Sequence, residues 1–304
     1  MELALICLKQ IIIMFLLVAV GFLCGKTGII DKDTNSKLSV FVLDIINPVL
    51  IFMSYQTEFN TELLKGLGLS VALGAASYAM TLLLLGIIFR GDKSDKSIIV
   101  RFATVYSNCA FMGIPLLNGL FGSEGVLYIT GYITVFNIMV WTHGVILFGG
   151  KESANIKKIL TSPSIIAIIL GFICFVTNIR LPEIPAAAAN YISGCNTPLA
   201  MICAGVTIAG TELKSFVRDK AVYGALLLRL AVCPVMFWAV FRWFGIPEVV
   251  FLTILVATGC PAAATGTMFA LRYKKMPELS AMIFASTTLL SAVTLPLTVL
   301  LGAV

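Results

Sequence analysis

The chain has 304 residues, of which 59% are apolar and only 12% are charged. A soluble domain usually carries about 25% charged residues, so this composition excludes a water-soluble globule. The net charge of +6 could indicate a nucleic-acid partner, but the basic residues stand in short clusters between apolar runs, as in loops at a membrane surface. We therefore expect a lipid bilayer, and no nucleic acid, around this chain.

Apolar runs separated by short polar loops divide the chain into ten predicted transmembrane helices. Each run is close to the ~20 residues that an α-helix needs to cross the hydrocarbon core. The first run follows Glu2 and no convincing cleavage site comes after it, so we interpret it as a retained helix and not as a signal peptide. The predicted spans are 4–24, 35–55, 63–89, 97–121, 124–149, 158–178, 186–209, 220–244, 248–271 and 279–302.

Basic residues concentrate in alternate loops of this predicted topology. An even number of spans places both termini on one side, with the loops after spans 1, 3, 5, 7 and 9 on the other. The positive-inside rule then predicts that these odd-numbered loops face the cytoplasm and that both termini lie on the non-cytoplasmic side of the cell (inner or plasma) membrane. The basic residues of the odd-numbered loops are Lys26, Lys32, Lys37, Arg90, Lys93, Lys96, Arg101, Lys151, Lys157, Lys158, Lys214, Arg218, Lys220, Arg272, Lys274 and Lys275.

Three landmarks recur at a nearly constant offset along the chain. Two of them repeat after 150 residues (198 − 48 and 211 − 61) and the third after 146 (261 − 115). They are Asn47-Pro48 with Asn196-Thr197-Pro198, Thr61-Glu62-Leu63 with Thr211-Glu212-Leu213, and Pro115 with Pro261.

This offset predicts two related halves, with residues 1–150 as a first five-helix repeat and residues 151–304 as a second. Because five is an odd number of crossings, the second repeat must be inserted in the opposite orientation. Inverted repeats are a common plan of secondary transporters, whose site lies near the midplane where broken helices meet. We expect one all-α membrane domain built in this way.

Prolines predict breaks in spans 4 and 9. Pro115 deprives the carbonyl of Phe111 of its helical partner, and Gly113 loosens the same turn. Pro261 does the same to the carbonyl of Ala257. Backbone groups freed inside a membrane must pair within the protein or line a wet cavity, so paired breaks indicate a substrate site. The alternative is an ordinary proline kink.

The residues around these prolines resemble a known family. The stretch Asn108–Leu116 (NCAFMGIPL) is similar to the fourth-helix motif of the auxin efflux carrier family. The run Pro261–Glu278, with Phe269, Ala270, Tyr273 and Pro277, is similar to that family's ninth helix, and Asn47–Phe52 resembles its second helix. The likeness covers the whole chain in the number and order of spans, and the short polar stretch at mid-chain is typical of the compact prokaryotic type, which includes malate and malonate permeases.

The resemblance implies a scaffold and a transport subdomain drawn from both repeats, with helices 4 and 9 crossing. It implies that Asn108 contacts a substrate carboxylate and that Pro115 and Pro261 are the crossing prolines. Span 9 departs from the plant pattern, because Ala262–Ala264 stand where a larger polar residue is expected. A small anion other than an aromatic auxin is therefore the expected substrate.

Several neutral polar residues are candidates for the substrate site. Asn108 can donate to a carboxylate without the cost of a buried charge, the alternative being an interhelical hydrogen bond. Hydroxyls of Thr258, Thr265 and Thr267 could contribute from span 9, or could bond back to their own helix. We expect Asn47 and Asn196-Thr197 to hold the unwound turns before their prolines and to border the site.

The ionisable residues Asp44, Arg229 and His143 lie inside predicted spans, away from the span ends, where charges are costly and usually functional. Asp44 is a candidate proton carrier, or a structural partner for a polar neighbour. Arg229 has three possible roles: it forms a fixed ion pair with Asp44, it attracts anions into a vestibule, or its side chain snorkels to the membrane surface. His143 is the only histidine, and it is either a satisfied interior group or a proton relay.

These features predict a secondary transporter of small organic anions and not an enzyme. No nucleotide-binding loop, nucleophile elbow or zinc motif occurs, and the eight cysteines form no paired motif, so no cofactor or metal is expected. Coupling to protons or sodium ions is open, and an anion sensor without transport is the alternative function. Gly21 and Gly25 predict close helix packing, with a homodimer contact as one option.

Overall fold

The computed structural model describes residues 2–150, 161–211 and 219–303, and within them the regular structure is entirely helical. Three features of the sequence lie outside the described residues. They are the polar stretch Lys151–Lys158, the start of the sixth predicted span, and the second half of the Thr211-Glu212-Leu213 landmark.

Twelve helices make up the described part of the chain, and we number them in chain order. They are α1 (Glu2–Thr27), α2 (Lys32–Ser54), α3 (Thr61–Ile88), α4 (Asp95–Val105), α5 (Cys109–Gly149), α6 (Pro163–Thr177), α7 (Glu183–Gly194), α8 (Asn196–Ala209), α9 (Lys220–Phe241), α10 (Glu248–Gly259), α11 (Thr265–Arg272) and α12 (Pro277–Gly302).

Length and hydropathy identify the chain as a multi-pass membrane protein. Seven helical runs of the described part are long and apolar enough to cross a bilayer, and α6 and α10 are shorter apolar helices. Large apolar side chains such as Leu83, Ile87 and Ile184 are exposed on the outer surface. Exposed apolar surface of this extent is typical of contact with lipid.

Helix α5 changes direction at Gly122, near the predicted boundary between spans 4 and 5. The φ of 60° and ψ of −145° at Gly122 are non-helical, and glycine tolerates this backbone conformation because it has no Cβ. The single run Cys109–Gly149 therefore has two arms that meet at this glycine.

Helices α1 and α8 pack closely through glycines. A Cβ on Gly21 would overlap the carbonyl oxygen of Ile202, and a Cβ on Gly205 would overlap that of Val18. A Cβ on Gly25 would lie 2.9 Å from the Cβ of Ala209. The predicted helix packing of Gly21 and Gly25 is thus realised inside one chain, so these glycines give no support to a dimer contact.

Replacing Gly21 with valine is expected to lower the free energy of unfolding by about 2 kcal/mol, because overpacking a close contact typically costs about 1–3 kcal/mol. The thermal midpoint of the detergent-solubilised protein measures this. Gly68→Val in α3 is the matched control, since nothing lies within 4 Å of a Cβ at that position. Equal midpoints for both variants would contradict the α1–α8 contact.

Three π-helical turns each end two residues before a proline. In each, the N–H of the residue before the proline bonds to the carbonyl five residues earlier. A proline ring clashes with the carbonyl four residues back, and a wider turn relieves this clash without ending the helix. The three turns are Val42–Ile46 before Pro48, Cys109–Gly113 before Pro115, and Leu228–Val232 before Pro234.

These turns correct two expectations. Asn47 does not hold an unwound turn, because α2 stays helical through Pro48. Pro115 lies inside α5, and the break of the fourth predicted span comes earlier, at 106–108. In the seventh span the helix is interrupted at Cys195, but Asn196 starts the next helix and its side-chain atoms have no hydrogen-bond partner among the described residues, so it does not hold an unwound turn.

Candidate functional site

The two helix breaks contact each other directly. Ser107 and Ala262 form an antiparallel bridge. The N–H of Asn108 donates to the carbonyl of Pro261 at 2.7 Å, and the N–H of Ala263 donates to the carbonyl of Tyr106 at 2.8 Å. The break at 106–108 and the break at 260–264 therefore satisfy one another's backbone groups, as the interior of a membrane requires. We call this contact the crossing.

The local sequence explains why both chains unwind at the crossing. Pro261 has no N–H to donate, and Cys260 before it is extended, with φ −60° and ψ 148°. Tyr106 is also extended, with φ −102° and ψ 109°. The N–H of Ala262 donates to the Thr287 hydroxyl on α12 at 3.1 Å, which fixes the second break from its other side.

Arg229 joins the helices that end at the crossing. Its side chain is only 2% exposed and lies in the π-helical turn of α9. Nη1 donates to the carbonyl of Thr104 at 2.6 Å, and Nη2 donates to the carbonyl of Thr258. These carbonyls belong to the last turns of α4 and α10, where the helix dipole is negative and a cation is favourable.

This placement corrects both roles considered for Arg229. Its hydrogen-bond partners are backbone carbonyls and not Asp44, and the cavity that it lines has a volume of only about 10 Å³, which is too small for an organic anion. The guanidinium fork can reach two helices at once, which a lysine ammonium cannot do with the same geometry.

Asn108 lies where the positive helix ends meet. It immediately precedes α5, and α11 begins at Thr265 just after the second break, so the N-termini of both helices flank the crossing. Helix N-termini attract anions through their free N–H groups and their dipoles. The Asn108 side chain is 5% exposed, and its Nδ2 has no hydrogen-bond partner among the described residues.

The threonines of the ninth predicted span differ in their bonding. The Thr258 hydroxyl donates to the carbonyl of Leu255 at 2.7 Å, so it bonds back to its own helix. The hydroxyls of Thr265 and Thr267 have no partner among the described residues. The structure therefore leaves Thr265 and Thr267 available for a ligand, whereas Thr258 takes part through its carbonyl.

Two adjoining cavities lead away from the crossing. The inner cavity has a volume of about 180 Å³. It is lined by Phe111, Ala264 and Thr265, which follow the two helix breaks in the chain, and by residues of α2 and α8. The outer cavity, of about 450 Å³, is lined by residues of the first, seventh and ninth loops, including Asp31 and Glu278. Both cavities lie toward the odd-numbered loops.

Among the residues predicted for the substrate site, Thr265 and Thr267 line these cavities, whereas Asn47, Asn108, Pro115, Thr258 and Pro261 line neither of them. Asn47 and Pro115 are buried within α2 and α5, and neither lines the inner or the outer cavity. The Asn47 Oδ1 atom has no hydrogen-bond partner among the described residues. Pro261 is part of the crossing. Phe111 stands about one helical turn after Asn108 in the chain, and it lines the inner cavity.

Asp44 and His143 both lie on π-helical turns. Asp44 is exposed at the surface of α2, and none of the four ion pairs among the described residues contains it. The Nδ1 of His143 is 2.9 Å from the Tyr106 hydroxyl, which donates to the carbonyl of Met139. A tyrosine has one hydroxyl proton, so His143 Nδ1–H donates to Tyr106 when that proton goes to Met139, and Nδ1 accepts the proton in the other histidine tautomer. His143 thus contacts a residue of the crossing.

Sequence reasoning missed three residues that the cavities bring together. In the sequence Lys32 is one of many basic residues in the odd-numbered loops, and no motif marks Asn35 or Thr207. All three line both cavities, and the Asn35 amide donates to the Thr207 hydroxyl at 3.0 Å. No local signal could have found the pair, because Asn35 and Thr207 lie 172 residues apart.

Comparison with known proteins places the chain among membrane transport proteins. The model of a family described as "Membrane transport protein" matches residues 6–299. The chain is similar to an uncharacterized transporter of Methanothermobacter thermautotrophicus, with 26% identity over 95% of this chain and 96% of the relative. It is also similar to an uncharacterized transporter of Methanocaldococcus jannaschii, with 25% identity over 91% of this chain and 93% of the relative.

Proposed function

Because this chain belongs to the Membrane transport protein family, which is the auxin efflux carrier family, we propose that it is a secondary active transporter of small organic anions such as carboxylates. It would move them across the cell membrane by alternating access. The observation that carries this proposal is the crossing, where two broken helices pair and present two N-termini beside the neutral donor of Asn108.

In the proposed topology the chain crosses the membrane ten times as two inverted five-helix repeats, residues 1–150 and 151–304. Splitting α5 at Gly122, and joining each broken helix across its break, divides the twelve helices into ten crossings. The antiparallel bridge at the crossing supports an inverted relation, because symmetric breaks of oppositely oriented repeats would meet antiparallel. Both termini would lie outside the cytoplasm.

In the proposed mechanism the substrate carboxylate binds Asn108 Nδ2 and the N-termini of α5 and α11. Arg229 neutralises the opposite, negative helix ends, so the crossing moves as one unit. The inner cavity reaches the second helix break at Ala264 and Thr265, and the outer cavity is lined by residues of the odd-numbered loops, so in the proposed topology this conformation would be open toward the cytoplasm. Rocking of one part of the protein against the other would then expose the site to the opposite side.

Uptake into proteoliposomes tests this function. The purified protein is assayed with a panel of monocarboxylates and dicarboxylates, with and without a proton gradient and with and without sodium. We expect concentrative uptake of at least one acid. A protein that binds an acid tightly but moves none would contradict transport and favour the alternative, a membrane anion sensor.

Asp44→Asn is expected to make uptake independent of the proton gradient, because an exposed carboxyl within a span is the first candidate for reversible protonation. The measurement is the initial rate across a series of external pH values. Asp33→Asn is the control, since Asp33 is exposed and pairs with Lys37. A pH profile unchanged from that of the wild type would exclude Asp44 as the carrier, and His143→Gln would then be tested in the same way.

A further inference from the structure

The inner and outer cavities meet at a narrow set of shared residues, which we call the neck. Residues of α2, α8 and α11 form the neck. Helices α2 and α8 flank the cavities, and α11 begins at the crossing. The residues that line both cavities are Lys32, Asn35, Thr207, Thr267 and Leu271. A solute that moves from the outer cavity into the inner cavity at this place would pass beside them.

The hydrogen bonds at the neck fix the orientation of the Asn35 amide. The Thr207 hydroxyl donates to the carbonyl of Cys203 at 2.9 Å, so toward Asn35 it can only accept. The atom of Asn35 at 3.0 Å from it must therefore be the Nδ2 nitrogen. Asn35 is 8% exposed, and its Oδ1 has no partner among the described residues. The neck thus holds a buried, fixed amide with unused hydrogen-bonding capacity.

The neck also carries an unpaired cation. Lys32 is the basic residue that lines these two cavities, and it takes part in none of the four ion pairs of the described chain. The Asp31 carboxylate accepts the N–H of Thr34 at 2.7 Å, and this hydrogen bond lowers the pKa of Asp31. Asp31 is therefore ionised and caps α2.

The charges change sign along the path. The outer cavity is lined by the carboxylates of Asp31 and Glu278 together with Lys32, whereas the inner cavity is lined by Lys32 and no carboxylate. Lys32 is therefore the charged residue that the two cavities share, and the lining of the inner cavity sets no carboxylate against it. The unpartnered Thr267 hydroxyl and the second N–H of Asn35 supply neutral donors beside it.

We propose that the neck is a second anion-binding position, separate from the crossing, that holds a small carboxylate on its way to Asn108. Lys32 pairs with the carboxylate, and Asn35 and Thr207 keep the donors in place. This inference rests on the proposed function, because it takes the transported anion as its ligand. It adds a selectivity step that the crossing, with neutral donors only, does not supply.

Matched lysine variants of α2 test the neck. The probes are propionate, malonate and malate, and the readouts are the half-saturating concentration for uptake and the ligand-induced rise in thermal midpoint, each at low and high salt. Lys32→Gln is expected to raise the half-saturating concentration about fivefold at low salt, Lys32→Glu more, and Lys32→Arg little. Lys37→Gln is the control, because Lys37 lies on the same helix, pairs with Asp33 and lines neither cavity.

The outcomes separate this inference from the proposed function. In Asn108→Ala a weak, Lys32-dependent thermal shift should persist, and it should vanish in the double variant with Lys32→Gln. If a probe is transported by the wild type and Lys32→Gln behaves like Lys37→Gln, the neck proposal is overturned and the transporter proposal stands. If none of the probes is transported by or stabilises the wild type, both proposals fail for these acids.

Discussion

Replacing Arg229 with methionine is expected to abolish uptake and to lower the free energy of unfolding by about 4 kcal/mol. Methionine has a similar length but no donor, so inside the membrane the carbonyl of Thr258 would lose this partner and that of Thr104 would keep only the weak Cys233 thiol donor at 3.8 Å. An unpaired buried carbonyl costs about 1–3 kcal/mol, and two are affected. The ends of α4 and α10 would also lose the cation that offsets their dipoles.

Thermal midpoints in detergent and initial uptake rates measure both effects. Arg242→Met is the matched control on α9, because Arg242 stacks on Trp238 and Trp243 at the end of the helix, away from the crossing. Arg229→Lys should give intermediate stability, since a lysine keeps the charge but cannot fork between two helices. Wild-type stability and uptake in Arg229→Met would show that the crossing does not depend on this side chain.

Replacing Asn108 with alanine is expected to reduce uptake about 10- to 100-fold, because a hydrogen bond to a charged group contributes about 1.5–3 kcal/mol. The thermal midpoint without substrate should change little, since Nδ2 has no partner among the described residues in the substrate-free protein. A loss of transport without a loss of stability would separate substrate binding from packing.

Asn137→Ala provides the control for this prediction. Asn137 is a buried amide on the same helix, and its Nδ2 donates to the carbonyl of Ile133 at 2.9 Å. We expect Asn137→Ala to affect stability more than uptake. Normal uptake by Asn108→Ala would mean that the carboxylate binds elsewhere, and the unpartnered hydroxyls of Thr265 and Thr267 would be the next residues to replace.

Hydropathy and prolines were sufficient for the parts of the fold that depend on local sequence. Apolar runs of membrane-spanning length predict helices in lipid whatever they pack against, and the family of the chain was recognisable from the motif around Asn108 and the run from Pro261. Pro261 predicted a break where one is found. Pro115 did not predict the position of the break in span 4, because the packing around a proline decides whether it breaks the helix or only widens one turn.

The sequence by itself determined that this chain is a helical membrane protein of a transporter family, and through the family resemblance it identified spans 4 and 9 as the helices that cross, but not the position of the break in span 4. Only the tertiary structure showed that Arg229 joins the helix ends at the crossing. Arg229 was visible as a costly charge in a span, but its partner carbonyls lie 125 and 29 residues away. The physical reason is that hydropathy and helix breaking act within a few residues, whereas hydrogen bonds at a buried site join whichever groups the packing of distant helices brings together.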